Sequence, residues 1–440
     1  METGLWPVGS LRPDDRARFA AYDRWRAFYD GEQWTGRPLR GETRLTFNYA
    51  RALTRKIASY VYSGPVRFSV LPNGADDAIA NRAEIALGQA VRVNGLDQLD
   101  LDLCIAASVL GDAAVKVTWD ARLARPVVVA VEPDGLTVGT AGDDPRRVDR
   151  LAHGYWLMGE QLEPVLGARI DGWQPGKRYR VIETWTDAAW TVAVDGSLVQ
   201  DGPNPYGWIP YVIAVNNHGN GRFWGESDLV DLVDVCRELN GRMSVLARVL
   251  EMSGAPIAVL ENVDGSEGIA VGPGAKWELP EGAKAYLLDL LQGGGVGLHV
   301  QYIDLLYRAL HDLSETPRTA FGDSGRALSG AALEVEIQPL VQKVRRKRQG
   351  WEAFHRERNR RILDLLERYG GAQLSGLRET ETIWPSVLPS DIDGSVRNAV
   401  ALVQSGIQSR RTAYASLGGT DPEGEQSRVV EESSSRGAEM

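Results

Sequence analysis

The 440-residue chain is 43% hydrophobic and 25% charged, with 48 Gly and 21 Pro, proportions that exclude collagen-like and wholly disordered classes. Its length suits about two to four structural units. Lys+Arg 49 against Asp+Glu 59 leaves a formal charge of −10, a poor balance for tight sequence-independent DNA binding, which draws on phosphate neutralisation.

The first residues, METGLWPVGSLRPDDR, lack a charged segment leading into an apolar core, so no secretory signal is expected. No run of about 18 apolar residues predicts a membrane span. Cys104 and Cys236 sit in apolar helical contexts and read as buried, reduced thiols, since disulfide and zinc frameworks need denser cysteines.

Phe19, Tyr22, Trp25 and Phe28-Tyr29 predict an amphipathic helix over 14–34 that Gly31 ends within YDGEQW. NYARALTRKIASYVYSGP, Asn48 to Pro65, predicts a second helix, with Leu53, Ile57, Tyr60 and Val61 on one face. Residues 76–110 suggest two more helices. The β-branched and aromatic runs 113–119, 126–132, 179–186 and 189–194 predict strands. Residues 1–225 thus read as a mixed α+β region.

From Glu226 the pattern changes. Leu229, Leu232-Val233, Cys236, Leu239, Met243, Leu246 and Leu250 keep helical spacing, which predicts one long helix over 226–253. Residues 254–295 are short-stranded and glycine-rich. A second helix over 296–316 carries Leu298, Tyr302, Leu305-Leu306, Leu310 and Leu313. Turn formers mark a loop over 317–329. A third helix is expected over 330–370, with Ser329 as N-cap and a kink from the internal Pro339 and Gly350. Residues 371–440 read as a linker with Trp384-Pro385, helices at 394–404 and 409–417, and a loose, polar, acidic tail. Two long helices joined by a folded insertion form a stalk with a knob, and amphipathic helices of that length need partners, which a ring of copies supplies.

Residues for catalysis are scarce. GDSG, Gly322 to Gly325, is similar to the nucleophile segment of serine proteases, but Arg326 follows where that family has glycine, and no histidine–aspartate context accompanies it. Gly219-Asn220-Gly221 to Gly225 has the wrong spacing for a phosphate loop and reads as a turn. No P-loop, HExxH or Cys/His cluster points to an ATPase, a metal or a cofactor. The notable charge feature is basic: Lys343, Arg345, Arg346, Lys347 and Arg348, followed by Arg356, Arg358, Arg360 and Arg361. These wrap more than one helix face. They read as a solvated face making salt bridges between subunits, or as a contact to DNA phosphates.

Several segments in order resemble the portal proteins of tailed double-stranded-DNA bacteriophages of the long-tailed type. They are YDGEQW, NYARALTRKIASYVYSGP, VNNHGNGRFWGESDLVDLVDVCRELN, LSETPRTAFGDSGRALSGAALEVEIQPLVQKVRRKRQGW and ALVQSGIQSRRTAYASLG. The resemblance implies an α+β portal fold: a wing over 1–225, stem helices at 226–253 and 296–316, and a clip at 254–295. A tunnel loop at 317–329 would face DNA, with Arg318, Asp323, Ser324 and Arg326 as its polar residues. The long kinked helix 330–370 would complete the wing, and 371–440 would form a crown. It further implies no enzymatic activity, and a ring, usually of twelve copies, at one capsid vertex of the virion. Such a ring, assembled in the host cytoplasm, would conduct DNA during packaging and ejection. Its partners would be the terminase large subunit, head-completion or adaptor proteins, and the major capsid and scaffolding proteins. A non-channel capsid-associated adaptor or scaffold is the alternative; it leaves the helix–insertion–helix pattern unexplained.

Overall fold

A computed structural model of the chain describes residues 5–6, 11–74, 76–144, 146–167, 170–218, 222–254, 257–262, 279, 281–288, 295–323, 330–388, 392–408, 410 and 413. Helix accounts for 47% and strand for 21%, a mixed α+β fold. Two compact units divide at Trp384: Met1–Trp384 and Pro385–Met440.

The first unit opens with α1 (Pro13–Asp30), which has proline in its first turn and stops at Gly31, φ 107°, a conformation glycine adopts without a Cβ clash. Helix α2 (Tyr49–Val61) starts where the Asn48 side chain accepts the Arg51 N–H, 3.1 Å. Strand β1 (Arg67–Val70) precedes α3 (Asp77–Val93) and α4 (Leu96–Leu110). Strands β2 (Asp112–Asp120), β3 (Arg125–Val131) and β9 (Tyr211–Val215) form an antiparallel sheet of order β3-β2-β9. A second antiparallel sheet runs β4 (Leu136–Thr140), β5 (Val148–Met158), β6 (Arg178–Trp185), β7 (Ala189–Val194), β8 (Ser197–Pro203) in order. The short helix α5 (Gly159–Leu166) packs Leu162 against Tyr179, Val181, Val192 and Val194 of that sheet. Strands β4, β5, β8 and β9 were not foreseen: glycine, charge or proline interrupts the apolar residues of β4, β5 and β8, and β9 is an apolar run of only five residues.

Helix α6 spans Val233–Gly254, so the helix expected from Glu226 begins later. The Ser227 hydroxyl accepts the Leu229 N–H at 3.0 Å and donates to Val109 O, which holds 227–232 in turns. Leu229 and Leu232 are nonetheless buried, which is why their spacing mimics a continuous helix. Strands β10 (Ile257–Glu261) and β11 (Lys284–Leu288) pair antiparallel within the insertion. Helix α7 (Gly295–Leu313) follows, then a 3-10 turn at Arg318–Phe321.

Helix α8 (Gly330–Arg368) is 39 residues, about 58 Å at 1.5 Å per residue. It is continuous through Pro339 and Gly350. Val335, whose carbonyl the proline leaves without a donor, is 71% exposed, so water can satisfy that carbonyl. Gly350 lets α8 approach β9: a Cβ there would lie 3.4 Å from Val215 O. Strand β12 (Thr380–Ile383) pairs antiparallel with β1, and Trp384 packs against Tyr62 and His355 at ring distances of 5.4 Å. The expected linker thus gains a strand, and 371–384 belongs to the first unit. In the second unit, α9 (Ile392–Gln404) buries Ala399 and exposes Val396 and Val400. Most of the helix expected at 409–417, and the tail, lie outside the described residues.

Candidate functional site

Helix α7 returns alongside α6, and the lower part of the pair is anchored in the main core. Val233, Cys236, Leu239 and Leu310 join Tyr22, Phe28, Leu53 and Leu110, with Met243, Ile303 and Leu306 packed at the margin. On its other faces and farther out the pair is uncovered: Val245 is 44% exposed, Leu250 52%, Leu298 68% and Leu305 60%. Leucines exposed along a helix pair mark a surface that a partner covers.

Buried amides fix the anchor. Gln33 donates to Asn48 Oδ1 (3.0 Å) and Phe28 O (3.2 Å), and accepts from Asn240 Nδ2 at 2.7 Å. Asn240 accepts the Phe47 N–H at 2.8 Å, and one turn on, Ser244 accepts that of Leu45 at 2.9 Å. Each polar group in this seam is satisfied by the next, the condition for burying them at all.

The segment between β9 and α6 is strapped to the core. The backbones of Gly111 and Gly225 touch: a Cβ on Gly225 would sit 2.3 Å from Gly111 O. Asp112 accepts the Gly225 N–H at 2.8 Å and the Tyr22 hydroxyl at 2.5 Å. Burial pushes the Asp112 carboxyl up to about 6 despite those bonds and nearby Arg18.

Part of the basic run of α8 is turned inward, and for Lys347 and Arg348 this corrects both the solvated-face and the DNA-contact readings. Lys347, 4% exposed, pairs with Asp228 at 2.7 Å and donates to Asn216 Oδ1. Burial alone would raise Asp228, but the Lys347 ammonium, backed by Lys343, holds it at about 2. Arg348, 8% exposed, donates to Val61 O at 3.0 Å and lies over the Trp384 ring. Lys343 donates to Ser314 O at 3.0 Å, and Arg346 pairs with Glu315 at 2.6 Å. Of the five, Arg345 and Arg346 are exposed. Lys347 and Arg348 are unavailable to DNA or a neighbour.

After α7, Arg318 contacts Asp323 (2.7 Å) and Asp304 (3.5 Å) and lies 4.8 Å over the Tyr307 ring. Ser324 and Arg326 lie outside the described residues, as do Ser329 and residues 219–221.

The sequence matches a family model described as phage portal protein, SPP1 Gp6-like, over residues 11–437. The chain belongs to that portal family. A search of the curated proteins found no match. Membership gives the protein a capsid portal role, self-association into a ring and residence at a virion capsid vertex, within a structural, non-enzymatic family.

The segments that resemble portal proteins meet in the described seams: Gln33 of YDGEQW, Asn48 at the head of α2, Asn216, Gly225, Asp228 and Asn240 around the strap, and Lys347 of α8. The residues that sequence reasoning missed are the acceptors. Asp228 and Asp100 are acids whose cationic partners, Lys347 and Arg358, lie more than a hundred positions away. In this portal protein the Asp100–His355 pair, 3.3 Å, is fully enclosed and shared with Arg358. Phe68, Trp351, Phe354 and Trp384 surround the imidazole, so the group balances buried charge. Burial lowers the His355 pKa. Glu183 likewise gathers Lys116 (2.5 Å), Tyr155 (2.6 Å) and Tyr211 (3.1 Å) between the two sheets. Both cysteines are buried and free, their thiols pushed up to about 12 chiefly by burial. No described helix is long and apolar enough to cross a membrane.

Proposed function

We propose that this portal subunit forms the wall of a channel through which DNA is packaged and later ejected, in a ring of twelve copies assembled in the host cytoplasm. In this reading α6 and α7 are the stem, the β10–β11 insertion is the clip, the loop after α7 faces DNA, and α8 with residues 1–225 forms the wing. Residues 385–440 contribute the crown, with 371–384 belonging to the wing. The clip docks the terminase large subunit during packaging and head-completion proteins afterwards, while the outer wing meets capsid and scaffolding proteins.

The observation that carries the reading is the uncovered face of α6 and α7. Its leucines are 52–68% exposed on helices whose lower ends are fixed in the core, and an adjacent copy would bury them. Each covered leucine contributes about 1.5–3 kcal/mol, so a ring closes through repetition of a modest contact. An acidic chain also suits a conduit, since a wall that bound phosphates tightly would hold DNA in place. Mass photometry on the Leu298→Glu, Leu305→Glu double variant tests the ring: monomers with unchanged circular dichroism are expected. Intact rings from that variant would remove the stem assignment. Replacing 257–288 by a Gly/Ser linker should leave the first unit folded and abolish terminase binding.

A further inference from the structure

Between the five-stranded sheet, β9 and α8 lies a cleft of about 840 Å³, the size of a small-molecule site. Leu151 of β5, Ile209 ahead of β9, Ile213 within it and Phe354 of α8 give it apolar walls. Phe354, Glu357 and Arg361 follow at three- and four-residue spacing, so one face of α8 lines the cleft. Its exposed lining carries Arg146 and Arg147 against Asp149 and Asp187, and Arg147 already pairs with Asp149 at 3.4 Å.

The buried charge is not balanced in this way. The Arg361 side chain is 9% exposed and bonds Glu357 through Nη2 alone, at 2.9 Å. Arg360 takes both oxygens of the same carboxylate, at 2.8 and 3.0 Å. Two guanidinium groups thus share one acid. Nε and Nη1 of Arg361 have no hydrogen-bond partner among the described residues, and burial lowers the guanidinium to about 10 despite Glu357. The Trp208 ring lies 5.2 Å from it, held in place by a 3.0 Å bond to Asp364 and by stacking on Tyr206 at 4.9 Å.

We propose that this cleft binds a small organic acid, with its one carboxylate on Arg361 and its apolar body against Ile209, Ile213 and Phe354. Donors buried without acceptors are costly, and a carboxylate in the cleft accepts from them once Arg361 turns about its own side-chain torsions. The charge selects a monoanion. Arg360 and Arg361 exceed Glu357 by one positive charge, which one carboxylate cancels, while Asp149 and Asp187 repel a polyanion such as polyphosphate or nucleic acid. None of these residues lies in α6, α7 or the insertion between them, so the site stands whether or not the channel reading does.

Titration calorimetry of the full-length protein with 2-naphthoate tests the site, with neutral 2-naphthamide as the isostere. The acid should bind about ten-fold or more tighter than the amide, the scale of a charge-assisted hydrogen bond. Arg361→Gln should reduce the acid to the affinity of the amide. Arg361→Lys, which keeps the charge without the planar donors, should fall between them. Ile213→Trp fills the cleft while leaving Arg361 intact and should abolish binding of both compounds; it carries the test if circular dichroism shows Arg361→Gln unfolded. Acid and amide binding alike, neither binding at about 10 mM, or Arg361→Gln binding the acid like wild type overturns the site. Pyrophosphate binding as tightly as the naphthoate overturns the choice of an organic acid.

Discussion

The Lys347 ammonium lies 2.7 Å from the Asp228 carboxylate, and each side chain is 3% exposed. The pair ties α8 to the strap that feeds α6, so it joins the longest helix of the body to the base of the helix pair. Lys347→Met strands a buried carboxylate and should cost about 3–5 kcal/mol, with the Lys347→Met, Asp228→Asn double variant recovering part of that loss. Denaturant unfolding followed by tryptophan fluorescence measures both. A double variant as unstable as the sum of its singles would mean that the two residues do not act as a pair.

Asp228 also sets a pH dependence. Its folded pKa, about 2, lies below the unfolded value near 3.9, so the stability it contributes is complete above about pH 4. That contribution falls away as pH drops through about 2. Asp112 has the opposite sign. With a folded pKa of about 6, its native state binds a proton that the unfolded chain has released, so stability declines as pH rises from about 4 to about 6. The span is on the order of 2–3 kcal/mol. Asp112→Asn keeps an acceptor for Gly225 N–H and a polar partner for Tyr22, and should flatten the Asp112 part of the pH–stability curve. An unchanged slope in that variant would assign it to another group.

Much of the secondary structure was legible because its signals are local. Gly31 ends α1, Asn48 caps α2, and the leucine spacing of α7 lies in its own sequence. What could not be read were the relationships that depend on distant partners. The basic run of α8 looked solvated because Asp228 and the Val61 carbonyl are far away in the chain. The four residues of β12 carry no strand signal without β1 beside them, and 227–232 kept helical spacing while folding as turns around Ser227. At the candidate site, the exposed face of α6 and α7 was visible in the pattern, whereas the engagement of Arg318 with Asp304 and Asp323 was not.

Glycines separate into those that touch and those that do not. Gly225→Ala would put a Cβ 2.3 Å from Gly111 O and 2.8 Å from Val215 Cγ1. The strap has to move, and a loss of about 1–3 kcal/mol or more is expected. Gly88, inside α3, meets only the Arg92 side-chain end at 3.9 Å, so Gly88→Ala should gain about 0.5–1 kcal/mol by restricting the unfolded chain. Thermal melting of the two variants side by side checks the contrast, and a neutral Gly225→Ala would show that the backbone contact is not tight.

The amide seam yields the last prediction. Asn240 both donates to Gln33 and accepts from the Phe47 N–H, so Asn240→Leu leaves an acceptor and a donor buried without partners. Each unsatisfied group costs about 1–3 kcal/mol. Asn240→Asp keeps the acceptor for Phe47 but turns an oxygen toward Gln33 Oε1. The Gln33 amide also donates to Asn48 and Phe28 O, so flipping it sacrifices those bonds, and the aspartate should cost nearly as much as the leucine. The seam holds the foot of α6 rather than its outer face. Both variants should therefore lower the melting temperature while the α6–α7 leucines remain able to pair with a neighbour at low temperature. Mass photometry at about 10 °C beside thermal melting reads the two effects apart; rings lost from a still-folded Asn240→Leu would show that the seam also shapes the contact between copies.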